Sequence, residues 1–264
     1  MNNLSLYGWN QTLNKLKQES PYNNLSHGRV SVVHSTCYEV VSESGLFQCE
    51  LTGNMMYGKS DFELPCTGDW VFFQIFDEAK GIIIDMFPRQ RTLYRKKNGT
   101  IADKQAIASH IDKAFIVQSL DDNFNMRRAE RFMAQILEED IAPILLLNKA
   151  DLDFDRQKVE ESLHYIKQHM PVFMTSVHDS KSVDKLREYI QDGETVVFVG
   201  SSGVGKSSLV NALCGQCILD TSEISISTGK GRHTSTRREM VRMQNSGILI
   251  DTPGVREFGL ALED

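Results

Sequence analysis

Hydrophobic and polar positions along the chain change their period twice. Residues 1–27 are mostly polar, and Leu13 and Leu16 predict a short N-terminal helix that Pro21, Asn23 and Asn24 bring to an end. From Gly28 the pattern becomes short runs rich in β-branched and aromatic residues, at 28–34, 37–43, 46–53, 69–76 and 81–87. Ser44-Gly45 and Thr67-Gly68-Asp69 supply turn signals between them. Five such runs over residues 28–90 predict a small all-β barrel, an OB-fold first and an SH3-like barrel as the alternative. From Ile107 onward apolar runs alternate with amphipathic segments. Residues 113–120, 142–149, 171–177 and 195–200 read as strands, and 127–140, 153–169 and 181–192 as helices. The continuous apolar run 142–149 fits a strand covered on both faces. This βαβ alternation over 107–264 implies a parallel sheet flanked by helices, and residues 91–106 are left as a basic linker.

Composition narrows the class without naming a task. The chain has 264 residues, 41% hydrophobic and 24% charged, as soluble globular proteins do. A net charge of −6 gives no global attraction to nucleic acid, so any basic surface must be local. One exists: between Arg89 and Lys104 there are six Lys/Arg against one Asp. Arg89, Arg91, Arg95, Lys96 and Lys97 are candidates for RNA phosphate contact, with Tyr94 available for stacking. A solvated linker explains the same run equally well. The five cysteines (37, 49, 66, 214, 217) are scattered, which argues for a reducing compartment. Cys214 and Cys217 form a lone CxxC with no second pair and read as packing residues rather than a metal site. No leader and no run of membrane-spanning length is present, so a cytoplasmic protein without a membrane partner is expected.

The chemistry concentrates near residue 200. The apolar strand Thr195–Val199 runs into Gly200-Ser201-Ser202-Gly203-Val204-Gly205-Lys206-Ser207-Ser208, the pattern G-x-x-x-x-G-K-[ST]. Glycines 200, 203 and 205 let the backbone curl so that several N–H groups face one anion. A helix starting at Lys206 adds its positive dipole end. Lys206 would neutralise outer phosphates, and the Ser207 hydroxyl would ligate Mg²⁺.

A second motif, Asn148-Lys149-Ala150-Asp151, closes the apolar strand 142–149. NKxD at a strand end is a guanine-reading element: the carboxylate of Asp151 accepts hydrogen bonds from the guanine N1–H and amine, a pattern adenine lacks. Asn148 would face the N7 side and tie loops together, and the Lys149 stem would lie along the base. Ser176 and Val177 occupy the place of a short contact to the guanine oxygen. A third element, Asp251-Thr252-Pro253-Gly254, follows the strand at 247–250. Asp251 would hold Mg²⁺ through water, and the Gly254 N–H would sense the γ-phosphate. The polar segment 228–238 between them has the character of a switch. Thr236 is its expected Mg²⁺ ligand, with Thr234 as the alternative. The order is unusual, because NKxD lies 52 positions before Gly200, whereas in Ras-like GTPases it follows the P-loop. Only ten residues follow Gly254, so the domain must be circularly permuted.

A barrel, NKAD, GSSGVGKSS, GRHTST and DTPGVREFGL in that order resemble the RsgA family, also called YjeQ or YloQ, over about residues 28–260. The resemblance implies a circularly permuted P-loop GTPase domain preceded by an RNA-contacting OB-fold. It implies a factor in late maturation of the small (30S) ribosomal subunit, meeting 16S rRNA as a monomer. GTP hydrolysis would be stimulated by the subunit and coupled to release, with Mg²⁺ accompanying GTP or GDP. It further implies a C-terminal helical domain with zinc held by three cysteines and one histidine. No cysteine lies beyond 217, so those ligands are absent from this sequence. Val255 stands where Ras-like GTPases keep a water-orienting glutamine, and Gly203 where potassium-activated ones keep an asparagine. Slow intrinsic hydrolysis is therefore expected, with His233 as the in-chain candidate to position water. The alternative function is an RNA-binding, guanine-nucleotide-sensing clamp with little turnover.

Overall fold

The computed structural model describes residues 3–58, 60, 62–96, 104–216, 239–244 and 246–251. Five strands, β1 (Ser26–Val33), β2 (Tyr38–Ser42), β3 (Gly45–Leu51), β4 (Trp70–Asp77) and β5 (Lys80–Met86), pair in the order β1-β2-β3-β5-β4. β4 also pairs with β1, so the sheet closes on itself. Only β3 and β5 run parallel within it. This closed five-strand order is that of an OB-fold, which resolves the choice against the SH3-like alternative. Alternate residues face inward, and Val30, Val40, Phe47, Val71, Phe73 and Ile83 form the barrel core. A short helix α2 (Gly53–Gly58), with Met55 buried, lies between β3 and β4. Its six residues are too few for a helical period to show in the sequence.

The N-terminal segment is a clamp. Helix α1 (Gln11–Glu19) is capped by Asn10, whose side chain accepts from the Leu13 N–H at 3.0 Å. Leu4 and Leu13 join Trp70, Phe72 and Phe87 in one apolar cluster, and the Trp9 ring lies tilted against His27 at 4.4 Å and edge-on to Trp70 at 4.9 Å.

Residues 91–106, expected as a linker, begin an antiparallel hairpin of β6 (Leu93–Lys96) and β7 (Lys104–Ala108). Leu93, Ile107 and Ala108 are fully buried against the α/β core, an anchoring that the dense charges around them conceal in the sequence. Beyond it lie β8 (Lys113–Ser119), β9 (Ala142–Asn148), β10 (Val172–Met174), β11 (Thr195–Val199), β12 (Glu239–Arg242) and β13 (Ile248–Asp251). The parallel strands stand in the order β10-β9-β8-β11-β13. Helices α3 (Met126–Glu138) and α4 (Arg156–Leu163) pack on one face, and α5 (Ser180–Tyr189) and α6 (Lys206–Cys214) on the other. The helix expected over 153–169 is shorter than its pattern: α4 ends at Leu163 and a separate 3-10 turn covers Ile166–Gln168.

Two features join the halves. β12 is antiparallel to β13 and also pairs with barrel strand β1 at Val32 and Glu239, so one hydrogen-bonded sheet runs through both. Arg29 is 1% exposed at the same junction. Its guanidinium donates to Gly68 O at 2.9 Å, Tyr7 O at 2.6 Å, Thr195 Oγ1 at 2.9 Å and His110 O at 3.2 Å. Burial pulls its pKa to about 10 while Asp112 and Asp69 hold it up, so it remains charged at neutral pH. Arg29→Met is expected to lower stability by about 3–5 kcal/mol, because acceptors on four segments lose their donor. A shift of the urea midpoint of tryptophan fluorescence measures this.

His27 and His110 are 8% and 7% exposed. Burial, aided by Lys17, pulls His27 to about 4, and burial with Arg29 pulls His110 to about 3. Unfolded histidines titrate near about 6.5, so below that pH the unfolded chain binds the extra protons. Their contribution to stability is complete above about 6.5 and is lost as pH falls toward 4. Thermal midpoints are expected to decline over that interval, less steeply in His27→Gln.

Candidate nucleotide site

Four parallel strands end at one edge of the sheet, at Ser119, Asn148, Val199 and Asp251, and the candidate residues gather there. The turn after β11 takes its shape from backbone that only glycine tolerates. Gly200 has φ +148°, and a Cβ there would stand 2.5 Å from Val117 O. Gly205 has φ +91°, and a Cβ there would stand 2.4 Å from the Asn148 side-chain nitrogen. Val204 is fully buried and pins the loop to the core, whereas Ser202 and Gly203 are exposed at its tip. Gly205 is the N-cap of α6, so Lys206, Ser207 and Ser208 form the helix's first turn and direct its free N–H groups at the loop.

Lys206 Nζ donates to Gly200 O at 2.8 Å and Ser201 O at 2.7 Å. Burial lowers its pKa, with Asp251 offsetting part of the effect. An arriving anion would therefore meet an under-solvated cation. Ser207 Oγ donates to Asp251 Oδ2 at 3.2 Å across the gap between α6 and β13. A hydroxyl and a carboxylate, both hard oxygen donors, thus converge beside an anion-binding turn. That donor set fits Mg²⁺, which prefers oxygen ligands and substrate phosphates.

The base side is built on β9 and the turn after β10. Asn148 is 3% exposed, and its Nδ2 donates to Val204 O at 2.8 Å while its Oδ1 accepts from Thr175 Oγ1 at 3.3 Å. One amide thereby ties the two motif loops and the Thr175-Ser176-Val177 turn together. Ser176 Oγ donates to Asp151 Oδ1 at 2.5 Å. This bond, with one from the backbone, holds the Asp151 carboxyl below the usual carboxylate range. Lys149 has φ +60°, and its Nζ pairs with Asp121 Oδ2 at 2.8 Å. Burial pushes the Asp121 carboxyl up, but bonds from Lys149, Ser119 and the Asn123 N–H outweigh it and hold it low. Val177 is 37% exposed at the rim.

Two residues of this arrangement escaped the sequence reading. Asp121 clamps Lys149, and Arg128, at the start of α3, donates through Nη1 to Ser201 Oγ in the phosphate turn. Asp121 had a weak signal, standing just past the C-terminal end of an apolar strand where α/β proteins place ligands. Arg128 had none, because its partner lies 73 positions away.

The basic candidates distribute differently. Arg89 is drawn inward, donating to Asp69 and to the carbonyls of Phe62 and Leu64. Arg91 pairs with Asp112 at 2.8 Å. The Arg89 side chain is 11% exposed in its pair and that of Arg91 34%. Arg95 and Lys96 belong to β6. Lys97, Cys217, His233, Thr234, Thr236, Gly254 and Val255 lie outside the described residues. Among the described residues, no group of three or more His, Cys, Asp or Glu side chains converges as a metal cluster. No helix among them is long and apolar enough to cross a membrane.

A P-loop and an NKxD strand end on one parallel sheet, with NKxD earlier in the chain and an OB barrel ahead of both, define a circularly permuted GTPase domain. A family model described as RsgA GTPase matches residues 86–261. The chain is 67% identical over 263 residues to the small ribosomal subunit biogenesis GTPase RsgA 1 of Bacteroides thetaiotaomicron, covering 100% of this chain and 74% of that protein. It is 36% identical over 262 residues to the small ribosomal subunit biogenesis GTPase RsgA of Methanosarcina acetivorans, covering 98% and 69%. The chain belongs to the RsgA GTPase family. In fold it is similar to YjeQ from Thermotoga maritima, with TM-score 0.65 and 23% identity over 87% of this chain and 74% of that one. It is also similar to YloQ, a circularly permuted GTPase, with TM-score 0.62 and 24% identity over 92% and 76%.

Proposed function

We propose that this chain binds and hydrolyses GTP as a cytoplasmic assembly factor for the small ribosomal subunit, with hydrolysis stimulated by the subunit and coupled to release. The observation that carries the nucleotide half is the Asn148 amide bridging the base-reading loop to Val204 of the phosphate turn. Base recognition and phosphate recognition are therefore one rigid unit. The ribosomal half is supported by family membership and by the names its relatives bear.

In this reading Asp151 accepts from guanine, with Ser176 fixing its orientation. Asn148 holds the pocket, and the Lys149 stem, anchored on Asp121, lies along the base. The amides of residues 200–208 cradle the phosphates, and Lys206 exchanges its two loop carbonyls for phosphate oxygens. Ser207 and Asp251 would hold Mg²⁺ together with Thr236, and Gly254 would meet the γ-phosphate. Held by these residues, Mg²⁺ would supply positive charge against the nucleotide's outer phosphates. Arg128, already on Ser201, adds positive charge at the same edge.

Since Val255 can neither orient nor polarise water, His233 is assigned to position the attacking water when the small subunit is bound. His233→Ala is expected to reduce subunit-stimulated turnover by about 10²–10³-fold, the size of one positioned catalytic group, with GDP affinity unchanged. Unaltered stimulated turnover would remove the assignment. The functional reading itself is tested by multiple-turnover hydrolysis of GTP and ATP, with and without small subunits. Equal binding of ATP would defeat it, and turnover indifferent to the subunit would leave a nucleotide-sensing clamp.

A further inference from the structure

The phosphate turn is rooted at both ends and open between them. Gly200 packs closely on Val117 O, and Val204 is fully buried. Between these roots Ser202 and Gly203 are exposed, and a Cβ on Gly203 would meet nothing within 4 Å. The N–H groups of residues 201–203 belong to the anion cradle, so drift of this span misaims them. Ser201 is gripped from two sides. Lys206 Nζ donates to its carbonyl at 2.7 Å, and Arg128 Nη1 donates to its hydroxyl. The first grip is temporary, because Lys206 turns to the phosphates when nucleotide arrives. The second has no such competing task.

Arg128 starts from a fixed base. It stands in the first turn of α3, where the Asn125 side chain accepts from its backbone N–H at 3.0 Å. The Asn125 N–H donates in turn to Gln118 Oε1 at 3.3 Å. Gln118 is fully buried in β8, the strand beside β11 that delivers the turn. Ala129 is fully buried next to Arg128, and Phe132, Met133 and Ile136 seat the helix on the core. Among the described residues the Ser201 hydroxyl is the one hydrogen-bond partner of the guanidinium, and no carboxylate pairs with it. Charge balance therefore does not account for its place.

We propose that Arg128 is a positioning residue for nucleotide binding: through the Ser201 hydroxyl it keeps residues 201–203 in their anion-binding shape once Lys206 has left the carbonyl. It acts on the backbone cradle and does not touch the phosphates. Without this grip the nucleotide must order the span as it binds, and ordering one residue's backbone corresponds to about tenfold in affinity. This role rests on the proposed binding of guanine nucleotide, and adds to it a residue that belongs to none of the sequence motifs.

Arg128→Met keeps the aliphatic stem and removes the donor, whereas Ser201→Ala removes the acceptor. The full chain, both single variants and the double variant would be titrated with fluorescent GDP in the presence of Mg²⁺. Each single variant is expected to bind about tenfold more weakly. The double variant should bind no more weakly than either single one, because the same interaction is lost only once. Nucleotide-free melting temperatures should stay within a few degrees of the parent. Parent-like affinity in both single variants overturns the proposal. Weakening in Arg128→Met alone, or a double variant weakened by the product of two losses, overturns it in favour of an arginine acting on phosphate directly. A large drop in nucleotide-free melting temperature with the affinity of the folded chain unchanged overturns it in favour of a purely structural contact. Failure of the parent chain to bind GDP would strike the functional reading itself, so the two failures are distinguishable.

Discussion

Asp151→Asn is expected to weaken guanine nucleotide binding by about 10²–10⁴-fold while leaving the fold intact, since each charge-assisted hydrogen bond contributes about 1.5–3 kcal/mol. A carboxylate presents acceptors to both guanine donors. An amide presents one acceptor and one N–H, so at least one guanine donor faces a donor. The Ser176 hydroxyl occupies part of the Asp151 carboxylate and fixes which lone pairs remain for the base. The variant should gain relative affinity for xanthine nucleotides, whose C2 oxygen accepts from the new amide. Titration with fluorescent GDP and XDP measures both effects. A variant that lost GDP and XDP binding equally would indicate that Asp151 shapes the pocket without reading the base.

Lys206→Ala is expected to lower GTP turnover by about 10²–10³-fold, the effect of removing one preorganised charge from a developing anion. Its signature in stability is as informative as the rate. The ammonium is under-solvated, and its partners in the turn are two backbone carbonyls, of Gly200 and Ser201. Removing it relieves a desolvation penalty while giving up those two bonds, so the nucleotide-free chain should melt within a few degrees of the parent. What should vanish is the rise in melting temperature with added GTP, which reports binding to the folded state alone. A large loss of stability without nucleotide would mean that Lys206 holds the turn together rather than serving the phosphates.

These two residues were legible because their motifs are local. A strand, a tight turn and a helix start within fourteen positions announce an anion cradle before any fold is known. An NKxD after an apolar run does the same for guanine. Their order in the chain was legible too, and it alone required the permutation. The barrel came from five period-two runs, and its OB topology from nothing more than their number until the strand pairing was seen.

Other features resisted for physical reasons. The β6–β7 hairpin was hidden by charge: Arg95, Lys96 and Lys104 mark its strands as basic, whereas Leu93 and Ile107 decide its position. Arg89 read as a free cation because the sequence does not show that Asp69, 20 positions earlier, lies beneath it.

The sequence by itself determined the motifs: a P-loop after an apolar strand, an NKxD strand end, an Asp-Thr-Pro-Gly after a third strand and the permuted order that links them. Such motifs act through backbone geometry and side chains a few residues apart, so they survive as linear patterns. Tertiary structure alone decided how those parts hold together. Asn148 meets Val204 across 56 positions, Arg128 meets Ser201 across 73, and Arg29 meets Thr195 across 166. Contacts of that range arise only when strands from distant segments share one sheet. That sheet, continued through β12 into β1, is what makes a barrel and a nucleotide site a single body.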